Sequence, residues 1–306
     1  MLYQRTLRVP VHAIGVGVHS GRTTRMRLAP APAGTGVHFV RTDLPDSPSI
    51  PALAAYVCDT QLSTSIGTDD VRVVAVEHVL SALHGLGIDN LRIELNGDEV
   101  PILDGSAAPF VDLIQGAGIV EQAMPRQFIR VKKKISVCRG EARASLRPYA
   151  GFKVAYTFES DHPVFNRYPK SAEVDLGCQS YEEAVGRARS FGRVDELDQA
   201  RQLNKCLGSS LDNAIGVGDV TILNPEGLRS EDEFVKHNLL DAIGDLYLLG
   251  RSVLGAFEGY QSGHALNVEL VRALLARQDA WHLITAAPDR FDEALQPVPL
   301  TAALEA

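Results

Sequence analysis

Cysteine is scarce in this 306-residue chain, and the four present, Cys58, Cys138, Cys178 and Cys206, are far apart and form no CxxC pair. That spacing excludes a disulfide framework and a thiolate metal site, and it leads us to expect reduced, mostly buried thiols of a cytosolic protein. Long apolar runs are missing too. No uncharged stretch approaches the roughly 20 residues that cross a bilayer, and the opening MLYQRTLRVPVH holds no apolar core of signal-peptide length. Positive charge is in short supply, with 30 Lys and Arg against 38 Asp and Glu and a formal charge of -8. Such a balance excludes a general nucleic-acid binder, whose phosphate contacts need a basic footprint. No Walker A pattern occurs, and the GVGVHSG run at 15–21 lacks both the GxGxxG spacing and a following helix, so a dinucleotide reading is weak.

What is present is a globular composition, 45% apolar and 22% charged, on a chain long enough for two domains of ordinary size. Alternating apolar residues predict strands at Thr23–Leu28, Val37–Arg41 and Leu91–Leu95 around a helix at Val74–Leu86. The turn-rich PILDGSAAPF leads into a second helix ending near Ala117, with Ser106 as its N-cap. The chain turns polar around Glu121–Arg126, where Pro125 makes the best boundary. Strand patterns return at Phe128–Val137, Arg143–Leu146 and Phe152–Phe158. Helices follow at Tyr181–Arg189, 231–250 and Ala265–Arg277, with strands near Val253–Phe257 and Trp281–Thr285. Both halves run strands first, then two helices with a short strand between them. The expected fold class is therefore α+β, with two domains at 1–125 and 126–300 and a cleft where they meet.

The segment EDEFVKHNLLDAIGDLYLLG at 231–250 is apolar almost all round, yet it carries His237, Asp241 and Asp245 at successive steps of four. At about 100° per residue these three lie within one narrow arc. Buried charge is costly unless it is paired or bound to a metal. His237 and Asp241, one turn apart, can reach one ion, and His78 on the 74–86 helix is the best third ligand. Two histidines and a carboxylate with an open position suit a catalytic zinc, and the lack of thiolates leaves Fe(II) or Co(II) chemically open. The same pair also suits ordinary hydrogen bonding, and Asp245 also suits a salt bridge or cap. Glu77, beside a ligand, could take a proton from water. His264 in YQSGHAL could serve as the acid with Asp245 behind it, or it could merely cap a turn. His84 reads as a packing or surface residue, as do His12 and His282.

At these blocks the chain resembles the zinc-dependent UDP-3-O-acyl-N-acetylglucosamine deacetylases of lipid A biosynthesis. The likeness covers essentially the whole length: QRTL near Gln4, GVGVHSG, VEHVLSALHGLGIDN at 76–90, EVPILDGSAAPFV at 99–111, RARSFG at 187–192, the 231–250 segment, and SGHALN at 262–267. The resemblance implies two similar β-α-α-β domains packed as a sandwich around the active-site cleft. A βαβ insert at about 191–220 would form an apolar passage for the substrate's acyl chain. It implies zinc on His78, His237 and Asp241, Glu77 as general base, and His264 as general acid with Asp245 as its partner. Ser190 would be the oxyanion hydroxyl, where the family has threonine. Substrate contacts are implied at Leu62, Phe191, Arg193, Asn238 and Gln261. The expected partner is a UDP-linked acylated amino sugar, on a cytoplasmic monomer working near the inner membrane surface.

Three substitutions surround that implied substrate site, and a fourth lies outside it. Asn238 and Gln261 stand where the family usually has lysine, Arg193 where an aromatic residue is common, and Ser209 where the family has glycine. Asparagine keeps a donor but not a charge, so attraction for phosphate falls. Two alternatives follow: a deacetylase of a related acylated amino sugar with weaker diphosphate recognition, and a metal-binding regulatory homologue without turnover.

Overall fold

The structure, a computed structural model, describes residues 2–68 and 70–285. Its helices are α1 (Glu77–Leu86), α2 (Ala108–Ala117), α3 (Val194–Gln202), α4 (Glu233–Tyr247) and α5 (Gly263–Ala276). Strands form a mixed sheet in each half, as the α+β expectation requires. In the first, neighbours run Val11–Val16, Thr23–Pro30, Leu91–Leu95, Val37–Arg41 and Ser49–Pro51. In the second, Ser252–Tyr260 lies centrally: it pairs antiparallel with Ala142–Arg147 and parallel with both Gln127–Val131 and Phe152–Thr157. Its burial is nearly continuous, as a strand covered on both faces demands. One apolar core joins the two halves, with Leu80, Leu83 and Ile93 packing in the same cluster as Leu240, Ile243 and Phe257.

Several local expectations shift. The first helix begins at Glu77, not Val74, because Ala75 takes a left-handed φ of 58° and Val74 bridges to Glu99 as extended chain. The run 128–137 is broken between Val131 and Ile135, where Lys132 and Lys133 donate their N–H groups to Ala280 O. The helix expected at Tyr181–Arg189 is a single π turn, Glu182–Gly186. Ser106 is not the N-cap of α2; it precedes the cap residue Ala107, accepting the Ala108 N–H and donating to Asp104. The polar 121–126 stretch is largely extended, since Ile119–Pro125 pairs antiparallel with Tyr3–Leu7. Cys58, Cys138 and Cys178 are exposed and Cys206 half-buried, against the expectation of buried thiols. Cys138 follows an inward Ile135 at odd spacing, which puts it on the outward side of its strand.

Two features place the site. A three-stranded ribbon of Val57–Asp59, Ser65–Gly67 and Arg72–Val73 leads into α1, and the N-terminus of α1 packs directly on α4. Gly244 permits that approach: a Cβ there would stand 2.1 Å from the Glu77 carbonyl oxygen. Gly244→Ala should therefore push the two helices apart, costing about 1–3 kcal/mol of stability and weakening divalent-ion affinity. A thermal melt and a metal competition titration check this, and unchanged values in both would remove Gly244 from the account.

Candidate metal and catalytic centre

Helix α4 presents His237, Asp241 and Asp245 one turn apart, and the first turn of α1 brings Glu77 and His78 against them. His78 Nε2 lies 3.4 Å from Asp241 Oδ1, and His237 Nε2 lies 3.5 Å from Asp241 Oδ2. The two imidazoles meet edge-on at 5.0 Å between centroids. Donors about 2.0–2.1 Å from one tetrahedral ion stand roughly 3.3 Å apart, so these spacings suit a shared cation. His237 Nδ1 is 3.0 Å from Ala188 O. A carbonyl can only accept, so Nδ1 carries the hydrogen and Nε2 keeps its lone pair for a metal. Asp241 Oδ1 and His78 Nδ1 are buried without a hydrogen-bond partner. A buried carboxylate oxygen with no donor is costly, and a cation facing it answers that cost. Among the described residues these three side chains form the only group of that kind with ligand atoms within 4.8 Å of one another.

Charge in the cluster is set by burial and by neighbours. Burial works against the Asp241 carboxylate, but His237 and His78 outweigh it and hold its pKa well below the usual range. His237 is pushed down by burial, which favours the neutral, ligating form. Burial opposes the charged form of His78 as well, but Asp241 overcomes it and raises the pKa. His84 is a different kind of histidine. It stacks between Phe152 and Tyr247, bonds to Ile243 O, and is lowered by burial to about 4, as suits a packing residue. His12 and His282 are exposed.

On one side of the cluster stands Glu77, almost fully buried, with Oε2 accepting the Thr64 N–H at 2.9 Å. Burial raises its pKa, against the pull of His264 and His78. His264, in the first turn of α5, directs Nδ1 to Asp245 Oδ2 at 3.0 Å, which leaves Nε2 for other chemistry. Burial alone would lower this imidazole, but the Asp245 charge and hydrogen bond lift it from 6.5 to about 10. Asp245 is completely buried and also accepts from Thr64 Oγ at 2.6 Å and Asn267 Nδ2 at 3.0 Å. Neither Thr64 nor Asn267 is among the residues that the sequence pattern singles out. Asn267 had a signal, since it lies three residues after His264 on one helix face, whereas Thr64 had none.

The remaining implied positions are less uniform. Phe191 stands 6.1 Å from the His237 ring and packs with Phe165, Phe158 and Phe234. Phe191–Arg193 and Ile215–Val217 pair in parallel on either side of α3, a βαβ unit with Val164, Ile215 and Val217 buried beside those rings. Ser190 donates its hydroxyl to Asn213 O at 3.1 Å. Asn238 donates to Phe234 O at 3.1 Å, and Gln261 to Glu159 O at 3.2 Å. Arg193 is tied to Asp195 and Glu196, so its charge is already answered. Leu62 is exposed with a left-handed φ of 64°. Behind Ser190, the buried Arg189–Glu233 pair at 2.8 Å anchors the 188–190 loop to the first turn of α4.

A two-histidine, one-carboxylate cluster flanked by a buried carboxylate and a carboxylate-backed imidazole has the layout of a metal-dependent hydrolase. The profile of the LpxC family, described as UDP-3-O-acyl N-acetylglycosamine deacetylase, matches residues 4–276. A protein of Chromohalobacter salexigens is 51% identical over 306 residues, covering 100% of this chain and 99% of its own. One from Coxiella burnetii is 48% identical over 303 residues, covering 99% and 100%. One from Pseudomonas entomophila is 51% identical over 284 residues, covering 93% and 94%. All three carry the name UDP-3-O-acyl-N-acetylglucosamine deacetylase. The chain belongs to this family of hydrolases. No helix among its described residues is long and apolar enough to cross a membrane.

Proposed function

We propose that this protein hydrolyses the N-acetyl group of UDP-3-O-acyl-N-acetylglucosamine, releasing acetate and the free amine, in lipid A biosynthesis. The observation that carries the proposal is the pairing of a buried carboxylate, Glu77, with an imidazole, His264, charged by Asp245 beside the His78/His237/Asp241 cluster. Those three side chains would hold zinc, with Fe(II) as the alternative, and the bound ion would supply Lewis acidity to the acetyl group. Glu77 takes a proton from the attacking water. His264 gives its Nε2 proton to the departing nitrogen, while Asp245 holds the ring in place and favours its charged form. Ser190 supplies a hydroxyl to the developing oxyanion by turning from Asn213 O. The acyl chain would run past the half-buried Phe191, which Phe165 and Phe234 back from the core, with Leu62 and Arg193 bordering its path.

The division into units at 1–125 and 126–300 belongs to this reading, although residues 286–300 lie outside the described ones. So do a monomeric state and a cytoplasmic site of action near the inner membrane. A second reading, weaker dependence on the diphosphate, is favoured by Asn238 and Gln261, which both lack charge and spend a donor on a backbone carbonyl.

The test follows acetate release by metal-loaded protein from the UDP-linked substrate and from a UDP-free acylated glucosamine. Release from the first supports the main reading, and no release from either leaves only a metal-binding role. Asn238→Lys and Gln261→Lys should lower KM for the UDP-linked substrate alone if the diphosphate passes those positions. Equal effects on both substrates would count against diphosphate contact there.

A further inference from the structure

Glu77 and Asp245 come to the centre from different helices, and one residue binds both. The Thr64 N–H donates to Glu77 Oε2 at 2.9 Å, and its hydroxyl donates to Asp245 Oδ1 at 2.6 Å. Its carbonyl accepts the Val76 N–H at 3.1 Å, just ahead of α1. Every polar group of this fully buried threonine is thus engaged. Asp245 Oδ2 is left to face His264 and Asn267, so the Thr64 bond to Oδ1 fixes the plane in which the carboxylate meets the imidazole. The strand end around Thr64 is itself pinned. Ser63, Thr64 and Ser65 are all buried, and Ser63 Oγ lies 3.0 Å from His19 Nε2. The His19 and Ser20 N–H groups bond in turn to Glu99 at 2.6 and 2.9 Å.

We propose that Thr64 is a positioning residue that holds the proton acceptor Glu77 and the Asp245–His264 pair in one fixed relation. The inference rests on the deacetylase reading for its kinetic meaning, but its structural content stands apart from turnover. A hydroxyl donating to a buried carboxylate forms a charge-assisted bond, and losing it leaves a buried lone pair unanswered. Asp245 then has freedom to rotate, and His264 loses its register with the departing nitrogen. The backbone bond to Glu77 survives side-chain replacement, so a hydroxyl deletion separates the two functions of the residue.

The experiment compares Thr64→Val, which keeps the shape without the hydroxyl, with Thr64→Ser, which keeps the hydroxyl without the methyl. The expected result is a kcat lower by about 10–100-fold in Thr64→Val, with KM and bound metal unchanged, and recovery in Thr64→Ser. In parallel, the low-field proton resonance of His264 Nδ1–H should move or broaden in Thr64→Val and return in Thr64→Ser. Wild-type kcat in Thr64→Val, or equal loss in both variants, would reduce Thr64 to a packing residue. If the wild-type protein releases no acetate, the deacetylase reading fails, and the resonance alone decides the inference. An unchanged resonance in Thr64→Val overturns it.

Discussion

Glu77→Gln should lower kcat by about 10²–10⁴-fold while the protein still folds and still binds its divalent ion. Glutamine preserves the shape of the side chain, and its amide oxygen can accept the Thr64 N–H that Glu77 Oε2 now receives. What it cannot do is take a proton from water. The loss should fall on kcat, with KM nearly constant, because the interaction matters only as the water attacks. Metal content by elemental analysis separates this outcome from disruption of the neighbouring His78, the proposed ligand. Burial raises the Glu77 pKa, and a general base must be ionised to act. Activity in the unaltered protein should therefore fall with acidity, with burial moving that point above an ordinary glutamate and the bound cation drawing it back. Turnover by Glu77→Gln at the original rate would sink the base assignment.

How far the centre could be read in advance depended on whether its residues share an element. The line of His237, Asp241 and Asp245 was visible because steps of four put polar groups on one side of an otherwise apolar helix. The reach of His78 to Asp241 depends on the packing of α1 against α4, which Gly244 allows and which no periodicity records. The aromatic wall was scattered for the same reason, since Phe158, Phe165, Phe191 and Phe234 come from separate segments and meet only in the fold. The apolar pattern predicts a start at Val74, but α1 begins at Glu77 because Ala75 is left-handed, a conformation that alanine does not advertise. Strands with clean alternation, such as Leu91–Leu95, have the bounds that the alternation predicts. Where residues are short and polar, as in Ser63 to Ser65, burial came from three-dimensional closure, and so the strap across the two carboxylates stayed hidden.

Asp245→Asn should be nearly as damaging as loss of the base, by about 10²–10⁴-fold in kcat, comparable to removing the carboxylate behind a catalytic histidine elsewhere. The sign of its pH effect follows from the two largest influences on His264. Burial disfavours the imidazolium, and Asp245 more than reverses this, raising the ring from 6.5 to about 10. The acid must be protonated, so activity declines as pH rises through the His264 pKa, and the bound cation nearby draws that point somewhat lower. With asparagine the largest opposing charge is gone while burial remains, and only Asp241 and Glu77 still favour the imidazolium, so the alkaline limb of the kcat/KM profile should move to lower pH. The His264–Asp245 pair also contributes stability that is fully present below about pH 6.5 and is lost as pH climbs toward about 10. The thermal midpoint of the unaltered protein should consequently fall over that interval more steeply than that of Asp245→Asn. A profile in Asp245→Asn with its alkaline limb unmoved would mean that His264 is not the proton donor. The third step of the polar line on α4 would then be structural, and the departing nitrogen would need another acid.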